Sequence, residues 1–183
     1  MASHICDRLP NFIGVASQII VPSVIPLIKS FELEERPAEV NYFRSLIRSI
    51  IFQQLNGKVA HVIFDRFVRL FPNNRFPIPQ NVVDMESDQM RSAGISNSKV
   101  NYIKNIAEAF LNNSIEPQNF KKLSNQDIIK QLTLIKGVGP WTVQMFLMFT
   151  LLRSDVFTTG DLGIRKGFKI YFKLDDLPDP KTM

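Results

Sequence analysis

The sequence predicts an all-α protein. Apolar residues recur at helical spacing in one segment after another, and prolines and glycines fall mostly between those segments. No alternating run pairs with a second one through a hairpin turn, and there is no internal repeat or low-complexity tract.

Residues 1–10 read as a loose lead. Residues 12–20 and 24–31 are apolar helical runs, separated by Pro22 and broken again by Pro26, and are expected to pack as the first helices. A charged connection with Pro37 spans residues 32–39. From Tyr42 the series Phe43, Leu46, Ile47, Ile50, Ile51, Gln54 has the 3.6-residue period of an amphipathic helix. Leu55-Asn56-Gly57 ends it, and Val59, Val62, Ile63, Phe67 and Leu70 mark the inner face of the next. Residues 72–79 form a loop containing Asn73-Asn74. Short helices are expected near 81–85 and 87–91, the second capped by Ser87. Ser96 caps a longer helix over 98–111, with Val100, Ile103, Ile106, Ala107 and Phe110 inward. Ser124-Asn125-Gln126-Asp127 resembles a capping box, with Asp127 in place of the usual Glu or Gln. A last helix starts near Asp161 and carries Ile164, Phe168 and Tyr171 on one face.

Composition narrows the functions. The chain has 22 Lys and Arg against 17 Asp and Glu, a net charge of +5 that suits a polyanionic partner. One cysteine, Cys6, excludes an internal disulfide and a cysteine-rich metal site. His4 and His61 are isolated in sequence, so a histidine metal site is not expected. No apolar run reaches membrane-spanning length and the N-terminus lacks the pattern of a signal peptide, so an intracellular address is expected.

The most informative stretch runs over residues 131–168. Leu134-Ile135-Lys136-Gly137-Val138-Gly139 separates the apolar-periodic segment 127–132 from a second that begins at Pro140 and extends to Leu152. Proline at a first helical position, preceded by glycines, reads as helix, tight hairpin, helix. Without a Cβ, Gly137 and Gly139 permit positive φ and close approach of a bulky partner. The amides of Val138, Gly139 and the turn after Pro140 would then face outward at a helix N-terminus, a site for a nucleic-acid phosphate. Gly-Val-Gly serves equally well to cap one helix and start the next. A dinucleotide-binding turn fits less well, since the preceding segment is helical and no third glycine follows. Twenty-two residues beyond Gly139 stands Asp161, after Asp155-Val156-Phe157 and before Leu162-Gly163-Ile164-Arg165-Lys166-Gly167.

Residues 134–139, Pro140-Trp141-Thr142, and Asp155-Val156-Phe157 with Gly160-Asp161-Leu162-Gly163 resemble the helix-hairpin-helix DNA glycosylases. Two further stretches match the bacterial and yeast branch acting on 3-methyladenine and other alkylated bases: residues 49–58, and residues 91–95 with Lys99 and Tyr102. The likeness runs in register from about Asn41 to the end. It implies two packed helical subdomains with a cleft between them, in a single domain over 1–183 whose hairpin spans about 126–152. It also implies a monofunctional DNA glycosylase that flips and excises alkylated purines of the 3-methyladenine and 7-methylguanine type. The expected partner is double-stranded DNA with damaged or abasic sites, the expected location the nucleus or nucleoid, and the expected state a monomer without membrane contact. The four-cysteine iron–sulfur cluster of some relatives is excluded by the lone Cys6.

By the same resemblance Asp161 matches the catalytic aspartate. Cleaving an N-glycosidic bond builds positive charge on the sugar, which an anionic side chain stabilises. An aspartate at a helix start also serves simply as an N-cap. Trp141 matches a pocket aromatic able to stack on an electron-poor base, though a tryptophan in an apolar helix also fills a core. Relatives that cut the strand carry a lysine at this position, so Trp141 favours base excision without lyase activity. Lys136, Gly137, Val138, Gly139 and Thr142 match the hairpin that grips phosphate. The carbonyls of Thr133, Ile135 and Val138 match the ligands of a monovalent cation, Na+ or K+; no other cofactor is implied. Gln54, Leu55 and Asn56 match the minor-groove wedge that fills the hole left by a flipped base, with Leu55 as plug. Lys58, Arg165 and Lys166 are candidate phosphate contacts.

Two departures stand out. Asn56 occupies a position where relatives usually present serine or histidine. Relatives also continue beyond a segment like Leu177-Pro178-Asp179-Pro180 into a further helix; either the sequence is trimmed there or that helix's packing is lost, and the second case would leave an apolar face uncovered. Both leave open a rival reading of another class, a protein of this fold that binds lesions or abasic sites without excising them.

Overall fold

The computed structural model describes residues 41–183, which fall within one compact unit, Ala38–Met183. The expected helices over 12–31, the lead, the charged connection, His4 and Cys6 lie outside the described residues. Every regular element among the described residues is helical.

Helix α1, Tyr42–Phe52, opens where the Asn41 side chain accepts the Arg44 amide at 2.9 Å. Its 3.6-residue apolar period holds through Phe43, Leu46, Ile47, Ile50 and Ile51, which are buried, but Gln54, expected to continue it, lies past the helix end, exposed and left-handed. Helix α2, Gly57–Arg69, buries Ala60, Phe64 and Phe67. This corrects the expected face in part: Phe67 is buried and Ile63 and Leu70 pack against the core as expected, but Val59 and Val62 are each 49% exposed. Residues 60, 64 and 67 form an i, i+4, i+7 stripe that places a small alanine inward and two valines outward.

Two short helices follow the 3-10 turn Pro72–Asn74: α3, Pro79–Asp84, and α4, Ser87–Ser92. The expected Ser87 cap is not made, since Glu86 takes the N-cap position and no side chain bonds there. Helix α5, Asn97–Leu111, is capped as expected, with Ser96 Oγ accepting the Lys99 amide at 3.4 Å. It packs on α1, α3 and α4 through Val100, Ile103, Ile106 and Ala107.

Helix α6, Asn125–Thr133, opens with Ser124 Oγ accepting the Asp127 amide at 3.1 Å and donating to the Asp127 carboxylate at 2.6 Å. Aspartate therefore closes a variant of the capping box through the serine hydroxyl. Helix α7, Pro140–Phe149, packs on α6 and α1. Phe146 from α7, Phe120 from the preceding loop and Tyr42 from α1 meet as a trio with centroids 5.5–5.8 Å apart. Burying side chains of this size contributes about 1.5–3 kcal/mol each.

Beyond α7 the chain turns at Leu152, φ 54°, and Arg153 ties the turn down. Its guanidinium donates to the carbonyls of Leu123, Phe120 and Lys121 at 2.9, 3.1 and 3.3 Å. Helix α8, Leu162–Tyr171, buries none of its residues. Its expected inner face reaches only a small aromatic cluster, Phe168 against Phe157 and Phe172 at 5.7 and 5.3 Å. Ile164 is 37% and Ile170 78% exposed.

Candidate functional site

Asp161 is reached by a turn in which its own amide bonds the carbonyl of buried Thr158 at 3.0 Å. It is the N-cap of α8: Oδ1 accepts the Ile164 amide at 3.1 Å. Oδ2 accepts the indole N–H of Trp141 from the first turn of α7 at 2.8 Å. An N-cap needs one oxygen; here the second is committed to a residue twenty positions away. The Trp141 N–H holds the carboxyl below its ordinary value, partial burial opposes this, and the amides of Ile164 and Gly163 lower it further. The group is therefore an anion at neutral pH. A carboxylate has about four lone-pair sites, so two hydrogen bonds leave it able to face an electron-deficient partner. Trp141 remains 40% exposed.

The hairpin over 134–139 is partly as expected. The amides of Gly137, Gly139, Trp141 and Thr142 make no hydrogen bond among the described residues; the first three belong to residues that are at least partly exposed, whereas Thr142 is buried. The expectation for Val138 needs correcting. Its amide is spent on the Ile135 carbonyl at 2.9 Å, and its side chain is 3% exposed. Thr142 is corrected likewise, because the residue is only 2% exposed and its hydroxyl accepts from Gln53 Nε2 at 2.9 Å. Lys136 is exposed, and its carbonyl is held by Asn105 Nδ2 at 3.0 Å.

Gly137 does adopt positive φ, 102°, and is approached closely. The close partner is internal: a Cβ at this position would lie 2.1 Å from the Tyr102 ring of α5. The glycine thus docks the hairpin onto α5, which fixes the direction of its free amides.

The expected wedge forms the corner between α1 and α2. Gln54 is left-handed, φ 56°, and Leu55 is 37% exposed. Asn56 is the N-cap of α2, its Oδ1 accepting the Lys58 amide at 2.9 Å. The departure from serine is therefore conservative for the helix, since both residues cap. Lys58 and Lys166 are exposed. Arg165, a candidate phosphate contact, is instead turned to the carboxy-terminal segment, with Nε donating to the Pro178 carbonyl at 2.9 Å. His61 lies exposed on α2, edge-on to Phe52 at 4.9 Å.

Lys99, which the sequence offers only as part of a matching stretch, braces the wedge. Lys99 Nζ donates to the carbonyls of Ile51 and Gln53, each at 2.8 Å, and partial burial lowers its pKa. Both bonds join residues more than 40 positions apart, so no local pattern announces them. Among the described residues no group of His, Cys, Asp and Glu could hold a metal ion, and no helix is long and apolar enough to cross a membrane.

The model of a family described as the HhH-GPD superfamily of base excision DNA repair proteins matches residues 47–183. DNA-3-methyladenine glycosylase 1 of Schizosaccharomyces pombe is 36% identical over 156 residues, 85% of this chain and 68% of that protein. The DNA-3-methyladenine glycosylase of Saccharomyces cerevisiae is 33% identical over 172 residues, 86% of this chain but 57% of its own length. Among solved structures, the S. pombe 3-methyladenine DNA glycosylase in complex with abasic DNA superposes with a TM-score of 0.82 at 35% identity. That match covers 92% of this chain and 84% of the other.

Proposed function

The chain belongs to the HhH-GPD superfamily of base excision DNA repair proteins, and from that membership we propose that it flips alkylated purines out of duplex DNA and hydrolyses their bond to deoxyribose. One observation carries the reading furthest: the carboxylate of Asp161 is anchored beside Trp141, with a hydrogen bond to each oxygen and its charge preserved. An extruded 3-methyladenine or 7-methylguanine is cationic and a good leaving group. Little acid assistance is required; what the reaction needs is an anion beside the sugar as positive charge develops there. Asp161 supplies it and can orient the attacking water. The exposed face of Trp141 offers the base a stacking partner.

The hairpin grips the lesion strand through the amides of Gly137, Gly139 and Trp141, with Lys136 adding charge and Thr142 packed behind them. Leu55 enters the stack from the minor groove while Asn56 probes beside it, and Lys58 and Lys166 lie near the backbone. The carbonyls of Thr133 and Val138 accept no hydrogen bond among the described residues, and that of Ile135 accepts one. Together these oxygens suit a hard monovalent cation, Na+ or K+, which would neutralise phosphate charge. Trp141 has no amine, so no Schiff base forms and the strand is left uncut. The protein works as a monomer in the nucleus, or in the nucleoid of a bacterial cell.

Incubation with methylated duplex DNA tests the reading. Released 3-methyladenine or 7-methylguanine, with an intact abasic strand, supports it. Tight binding of abasic duplex with no released base would instead establish the lesion-binding rival.

A further inference from the structure

We propose that Lys99 and Gln53 are positioning residues that hold the Leu55 corner at a fixed place relative to the Trp141–Asp161 pair, an inference that rests on the glycosylase reading. The last carbonyls of a helix lack intrahelical partners and carry the negative end of its dipole. At the end of α1 the Lys99 ammonium takes one of them, the Ile51 oxygen, together with the carbonyl of Gln53, the C-cap just past the helix, at 2.8 Å each. The next residue, Gln54, is a non-glycine in the left-handed region, a conformation that persists only where the surroundings impose it. Leu55 follows directly, its amide returning to the Phe52 carbonyl at 3.3 Å.

The second tie is the side chain of Gln53. It crosses from α1 to α7 and donates to the Thr142 hydroxyl at 2.9 Å, and Thr142 is only 2% exposed. Its chain neighbour is Trp141, whose indole holds Asp161. Hydrogen bonds therefore run from Lys99 of α5 to Gln53 and from Gln53 to Thr142 in the first turn of α7, and the adjacent Trp141, joined through the backbone, bonds the carboxylate. The ammonium serves only while protonated, and with two acceptors in hand it is a strut and not a nucleophile. Plug and carboxylate must act on the same nucleotide, so their separation fixes how far the base travels. A loosened corner would raise the cost of extrusion while leaving the bond-breaking group in place.

That separation of effects defines the experiment. Single-turnover release of 7-methylguanine is compared on a duplex where it pairs with cytosine and on one where it is mispaired, because a mismatched base costs less to unstack. In Lys99→Met, and independently in Gln53→Met, release from the paired duplex is expected to fall about tenfold and from the mispaired duplex about threefold or less. Lys99→Arg, which keeps two donors, restores the rate. Equal losses on both duplexes, or no loss, would overturn the proposal. Should the wild-type protein release no base at all, the glycosylase reading fails, and the positioning role is then read from binding. The preference for a duplex with a tetrahydrofuran abasic analogue over intact duplex drops about tenfold in Lys99→Met if the corner is braced as described; an unchanged preference overturns it. Thr142→Val, which removes the acceptor without changing side-chain shape, supplies the same comparison if Lys99→Met does not fold.

Discussion

The indole nitrogen of Trp141 and the Oδ2 atom of Asp161 lie 2.8 Å apart, joining the first turn of α7 to the cap of α8. Serine, threonine or asparagine would cap α8, but only a carboxylate presents two separate acceptor oxygens, one to each N–H donor. The bond fixes the indole edge while Trp141 remains partly exposed, so one contact orients both groups.

Removing that bond has a signed effect on pH dependence. Asp161 titrates below its ordinary 3.8, so its contribution to stability is present above that value and is lost as pH falls through the lower, folded value. An acid limb in the excision rate arising from Asp161 therefore lies below pH 3.8. Trp141→Phe removes the largest cause of the lowering, and the limb is expected to move upward. Excision at neutral pH should also fall about tenfold through lost orientation. A pH–rate profile of both proteins checks this.

Gly137 is expected to tolerate no side chain. In Gly137→Ala the new methyl meets the Tyr102 ring and the backbone stays at φ 102°. Together these effects cost about 3 kcal/mol, or about 6–12 °C in Tm for a domain of this size. Adding Tyr102→Ala should recover part of the loss by relieving the clash while leaving the φ strain. Thermal unfolding of the two variants reads both.

Asn56 and Leu55 separate capping from probing. Asn56→Ser keeps an N-cap acceptor, so stability should change by less than about 0.5 kcal/mol, and any change in excision reports the probe alone. Leu55→Ala removes the plug and should lower excision about tenfold with little change in Tm, because Leu55 is already 37% exposed. Thermal melts and single-turnover release measure the two effects.

Lys136 is a charge test. Lys136→Ala should weaken DNA binding across sequences and lower the slope of log affinity against log salt by about 1, the value for one phosphate contact. An unchanged slope would show that this lysine is merely solvated. A salt titration of binding decides it.

Much of this was legible in the sequence, and the reason lies in what is local. The α1 period, the Ser96 and Ser124 caps, and Pro140 after two glycines are encoded within a few residues, and each appears where expected. On α2 the inward Ile63, Phe67 and Leu70 follow the sequence pattern, whereas Ala60 is a weak hydrophobic signal beside the outward Val59 and Val62. The site was legible in its residues but not in their partners. Val138 spends its amide inside the hairpin, Thr142 turns its hydroxyl to Gln53, and Arg165 bonds the Pro178 carbonyl. Lys99 was readable only as part of a motif, because its acceptors are backbone atoms 46 and 48 positions away. Contacts between side chains and distant carbonyls leave no periodic trace.

Asp161→Asn offers the sharpest comparison, because asparagine still caps α8 but brings an NH2 group in place of the second acceptor and removes the charge. Base release from methylated duplex should fall by about 100-fold or more, while binding to an abasic duplex and the Tm stay close to wild type. Release that continues at the wild-type rate in this variant would contradict the assignment of Asp161 as the group that stabilises the sugar.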